Sequence, residues 1–68
     1  MSMRIRVNGD ETEVAADASV RSLLVSLELD REGVAVAVDL VVVPRSQWDR
    51  RGLREGEAVE VICAVGGG

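Results

Sequence analysis

The sequence predicts an α+β domain, a sheet with one helix laid across one face. Three patterns predict it. Met3, Ile5 and Val7 alternate with Arg4 and Arg6 and lead straight into Asn8-Gly9. Val20, Leu23, Leu24 and Leu27 recur at i, i+3, i+4 and i+7, the spacing of one apolar helix stripe. Valine-rich stretches then follow at 34–38, 41–43 and 58–64. The expected order is strand, strand, helix, strand, strand, strand and a glycine tail.

Each element has a local cause. The period of two over Met3 to Val7 buries one face of the first strand. Asn8-Gly9 suits a hairpin turn because both residues tolerate positive φ, so Thr12 to Val14 forms the returning strand. Ser19 is the expected N-cap of the helix, with Asp17 the competing candidate. The helix should end near Leu27 or Glu28, with Leu29 packing back and residues 30–33 forming the exit loop. In Val34-Ala35-Val36-Ala37-Val38 the valines should face the helix and the alanines face outward. Asp39-Leu40 is the tight turn before a short strand over Val41 to Val43, which Pro44 ends because it cannot donate to a ladder. Trp48 falls in a short irregular or 3₁₀ segment, its indole N–H bonded to backbone at the edge of the core. Pro44-Arg45 reads as a turn, and Leu53 as a core plug before the turn at 54–57. Along the last strand, 58–64, Val59, Val61 and Cys63 face one way and Glu60, Ile62 and Ala64 the other.

The 68 residues make one small domain, 1–68, with 65–68 expected as a flexible tail. A chain of this size buries only about 60% of the surface its unfolded form exposes, which leaves little room to enclose a catalytic pocket. Eight arginines stand against twelve Asp and Glu, for a net charge of −4. That balance argues against nucleic acid, which needs a basic face. Lysine and histidine are both absent. No side-chain amine is available for a Schiff base or an isopeptide bond, and the commonest general base and metal ligand are missing. No catalytic residue and no metal site are therefore expected. Cys63, the single cysteine, has no internal disulfide partner and reads as a half-buried sheet residue. With no apolar membrane span and no leader-like N-terminus, the expectation is a cytoplasmic protein, monomeric when free.

The sequence finishes at Val65-Gly66-Gly67-Gly68. Glycines lose the most backbone entropy on ordering, so these residues should be mobile in the free protein. Lacking side chains, they can also enter a narrow channel and offer the Gly68 carboxylate to another protein's active site.

The element order, the helix pattern Val20-x-x-Leu23-Leu24-x-x-Leu27, the segment Val42-Val43-Pro44-Arg45-x-x-Trp48 and the ending Ala64-Val65-Gly66-Gly67-Gly68 together resemble the ThiS family. These are the ubiquitin-like β-grasp sulfur carriers of thiamin thiazole biosynthesis. The resemblance covers the whole chain and implies a mixed ββαβββ sheet with one main helix on one face. It implies no bound cofactor. A ThiF-like adenylyltransferase would spend ATP to convert the Gly68 carboxylate to an acyl adenylate. A persulfide sulfur donor would then leave a thiocarboxylate, and a ThiG-like thiazole synthase would take up that sulfur. Val65, Gly66 and Gly67 would lie in the partner's active site. The family order also makes the strands at 34–38 and 58–64 neighbours. Ala35, Ala37, Glu60, Ile62 and Ala64 would then share an outward face that binds partners. Other recipients fit the same chemistry, namely molybdopterin, cysteine synthesis or tRNA thiolation. Protein conjugation and a passive ubiquitin-like binding module are the other classes.

Overall fold

The computed structural model of the protein describes residues 1–63. The chain forms β1 (Ser2–Val7), β2 (Asp10–Ala15), α1 (Val20–Ser26), β3 (Val34–Val38), β4 (Val41–Val43), a 3₁₀ turn (Arg45–Gln47) and β5 (Ala58–Cys63). The strands make one sheet in the order β2-β1-β5-β3-β4. β1 runs parallel to β5, and the other pairs are antiparallel. The last strand was expected to include Ala64, which lies outside the described residues.

Both hairpins close through two residues with positive φ. Asn8 and Gly9 have φ of 52° and 88°, and Asp39 and Leu40 have 49° and 70°. The first pair suits a primed turn. The second places a leucine where an L side chain costs about 1–2 kcal/mol. β2 extends at both ends of the Thr12 to Val14 segment, as the sequence reading allowed, because every residue of β1 from Ser2 to Val7 pairs across to it.

β1 pairs with β5 only at Arg6–Ala58 and Val7–Val59. Beyond that point Asn8 takes over the ladder. Its backbone N–H donates to the Val59 carbonyl at 2.8 Å, and its Oδ1 accepts from the Val61 N–H at 2.8 Å. One residue thus provides the hairpin turn and a polar clamp on the strand that leads to the tail.

Ser19 caps α1. Its hydroxyl accepts from the Ser22 N–H at 3.1 Å, and the Ser22 hydroxyl accepts from the Ser19 N–H at 2.8 Å, a reciprocal capping box. The helix is shorter than its apolar stripe. Leu27 is its C-cap and is exposed, contrary to the expected fourth stripe position. Glu28 turns left-handed at φ 60°, and the Leu29 N–H bonds the Leu24 carbonyl at 2.8 Å. This Schellman ending swings Leu29, rather than Leu27, against the core.

The core lies between α1 and the inner sheet face, built on Ile5, Val20, Leu23, Leu24, Val36, Val38, Trp48 and Val59. Leu53 is buried there too. Trp48 is 1% exposed, and its Nε1–H donates to the Val43 carbonyl at 3.0 Å. The Arg45 and Arg21 guanidiniums stack on its ring at 4.9 and 5.6 Å from the centroid. Arg21 also pairs with Asp30 and Asp49. The Val-Pro-Arg-x-x-Trp segment therefore acts as a lid over the core. Arg45 belongs to it through the ring and the Arg31 carbonyl. Among the described residues no helix is long and apolar enough to cross a membrane.

Candidate functional site

The side of the sheet away from α1 is where the fold leaves chemistry for other molecules. Its two halves differ. Over β1 and β2, Arg4 stands opposite Glu13 and Arg6 opposite Glu11, with Arg4 Nη1 reaching Glu11 Oε1 at 3.7 Å. This half is charged and pairs within itself. Over β5, β3 and β4 the register sets Ala35 opposite Ile62, Ala37 opposite Glu60, and Val42 opposite Ala37. Ile62 is 62% exposed and Val42 70% exposed. Their inner-face neighbours Val36, Val38, Val59 and Val61 are buried.

Four of the residues expected to bind partners, Ala35, Ala37, Glu60 and Ile62, thus share one face. Ala35, Glu60 and Ile62 are exposed and Ala37 is half-buried. Glu60 makes no ion pair among the described residues. It is a lone carboxylate on an otherwise apolar strip. Ala64, the tail residues Val65, Gly66 and Gly67, and the modification site Gly68 lie outside the described residues.

Sequence reasoning missed the apolar residues at the hairpin tip. Leu40, Val41 and Val42 are all largely exposed and extend the strip to the sheet edge. The signal was present, because a turn at Asp39-Leu40 already sets Val42 beside Ala37. Asp39 holds that turn in place. Its N–H donates to the Ala58 carbonyl at 2.7 Å, and its Oδ1 accepts from the Ala58 N–H at 2.9 Å.

Cys63 is half-buried, as expected, and pairs across to Val34 at the far end of the strip. Among the described residues no cluster of three His, Cys, Asp or Glu is placed to hold a metal. The shallow depression lined by Arg51, Gly52, Leu53, Arg54 and Glu57 holds one carboxylate and no hydroxyl or thiol.

A short helix across a mixed sheet, with a parallel β1–β5 pair between two antiparallel hairpins, defines a ubiquitin-like β-grasp protein. Known proteins narrow this further. The model of the ThiS family matches residues 5–68, and the chain belongs to that family. The sulfur carrier protein ThiS of Escherichia coli is 30% identical over 97% of this chain and 100% of its own length. A crystal structure of the thiamine biosynthesis protein ThiS from Geobacter metallireducens has a TM-score of 0.83 at 33% identity, covering 97% of this chain and all of that one. A thiazole synthase from Paramagnetospirillum magneticum is 33% identical over 97% of this chain, which spans only 20% of that enzyme's length.

Proposed function

We propose that this protein carries sulfur for thiazole formation in thiamin biosynthesis, as a protein co-substrate and not a catalyst. The observation that carries the reading is the family match through residue 68, which takes in the three glycines. The full-length likeness to the Escherichia coli sulfur carrier supports it.

The chemistry falls on Gly68. A carboxylate is a poor electrophile at carbon. A ThiF-like adenylyltransferase lets a Gly68 carboxylate oxygen attack the α-phosphate of ATP, and pyrophosphate leaves. The terminal sulfur of a persulfide donor then attacks the acyl carbon, and AMP leaves. The resulting acyl disulfide is cleaved by a thiol, which is oxidised to a disulfide while the carrier keeps a thiocarboxylate. Thiazole synthase, the enzyme named by one relative, accepts that sulfur. The carrier contributes the reacting atom, a tail of Val65, Gly66 and Gly67 without bulky side chains near it, and a docking face that orients both. That face is Ala35, Ala37, Glu60, Ile62 and Ala64, on a cytoplasmic protein that is monomeric when free. The domain runs from 1 to 68, and the carrier itself holds no cofactor.

The test is sulfur transfer. The chain is charged with labelled sulfur by the adenylyltransferase, ATP and a persulfide donor, then given to thiazole synthase with deoxyxylulose phosphate and the glycine-derived imine. Label should appear in the thiazole. Label that stays on the carrier in the presence of active synthase would refute the assignment to thiamin synthesis.

A further inference from the structure

We propose that Leu40 is an anchor that docks this domain on thiazole synthase by entering an apolar pocket of the enzyme. The proposal rests on the reading above that the synthase is a partner.

The fold has no use for a leucine at this position. Leu40 is 86% exposed, so it adds little to the core. Its φ of 70° belongs to the second central residue of a primed turn, where glycine is the unstrained choice. The turn does not need the side chain, because Asp39 fixes it through both of its bonds to Ala58. Solvation and backbone strain therefore both oppose leucine, and strain held at an exposed position points to a function outside the fold. Val41 and Val42 follow at 67% and 70% exposure, and Val42 joins the ridge to Ala37 and Ile62.

A second copy of this chain does not suit the ridge. Asp39 and Glu60 flank it, and a two-fold contact would press these carboxylates towards their equivalents. A larger protein that offers an apolar pocket with a cation opposite Glu60 does suit it. The Paramagnetospirillum magneticum relative named thiazole synthase carries a segment similar to this chain over 20% of its length, which puts such a segment and that enzyme on one polypeptide.

Position explains what the anchor does. Val38 pairs with Val59 near the turn, and Val34 pairs with Cys63 at the other end of β3. The four residue steps from Val34 to Val38 separate the two ends by about 13 Å. Leu40 thus grips the enzyme far from the end at which the chain leaves towards Gly68. Binding energy gained at a remote point serves to hold the reacting end in place.

The test uses the whole chain, purified thiazole synthase and three readouts. Leu40→Gly should melt at the same temperature as the parent or higher, and should gain sulfur from the adenylyltransferase as the parent does. It should bind the synthase at least about tenfold more weakly by calorimetry, as expected for an apolar side chain that fills a desolvated pocket. Leu40→Met should keep most of the affinity. Glycine-variant binding within twofold of the parent, a fall in its melting temperature that accounts for the loss, or weakening by methionine equal to that by glycine would each overturn the anchor. So would an effect confined to the adenylyltransferase, or a self-associating parent made monomeric by the change. If the parent itself takes up no sulfur and does not bind the synthase, it is the proposed function that fails.

Discussion

The inner and outer faces of β3 and β5 are made by alternate residues of the same two strands, yet they follow opposite rules. Inside, Val36, Val38, Val59 and Val61 are buried against α1 and Trp48. Outside, Ala35, Ala37, Glu60 and Ile62 leave a flat strip with one unpaired charge. The inner face is selected by the fold, because each side chain there displaces water. The outer face contributes little to stability, so its composition reflects what it meets. Adjacent residues on one strand should therefore answer to different measurements.

The largest effect should come from the lid over the inner face. Trp48→Ala removes the biggest buried side chain and the hydrogen bond it donates to the Val43 carbonyl. A loss of about 3–5 kcal/mol is expected, close to the whole stability of so small a domain, so circular dichroism should show a largely unfolded chain. Asn8→Ala should come next. It strips the left-handed turn of a suitable residue and leaves the Val61 N–H without its acceptor. Urea denaturation should register about 1–3 kcal/mol.

The sharpest comparison uses neighbours. Val61→Ala should cost about 2 kcal/mol, whereas Ile62→Ala should cost under about 1 kcal/mol and instead weaken partner binding. Equal losses of stability would mean that the two faces are not divided as described. On the outer strip, Ala37→Arg should weaken binding to the adenylyltransferase while the melting temperature stays nearly unchanged. The smallest effect should be a gain. Glu28→Gly relieves the left-handed C-terminal residue of α1 and should stabilise the domain by about 0.5–1 kcal/mol.

Much of this was legible in the sequence, for reasons that are local. β1, β3 and β5 announce themselves by alternation, the turns by Asn8-Gly9 and Asp39-Leu40, and the helix start by Ser19. The helix end was not legible. Leu27 continues the stripe perfectly, and only the left-handed turn at Glu28 hands its place to Leu29. The exact bounds of β2 were not legible, because Glu11 and Glu13 face outward to meet Arg6 and Arg4, which leaves a weak apolar signal. The adjacency of Ala35 and Ile62 came from family resemblance, since strand order is a non-local property that no spacing encodes. The clamp from Asn8 to Val61 is equally non-local. Leu40 was read as a turn residue, which it is, but its exposure beside Val42 became visible only with the sheet assembled.

On the proposed function the carrier chemistry falls on the tail, and Gly67→Val should block sulfur loading while sparing the fold, because a β-branched side chain would not follow a channel that admits glycine. The most direct measurement of the central claim is the intact mass of the chain after incubation with ATP, the cognate adenylyltransferase and a persulfide donor. A sulfur carrier should gain the mass of one sulfur in exchange for one oxygen, and lose that capacity when Gly68 is deleted. An unchanged mass, with the same enzyme preparation active on another carrier, would contradict it.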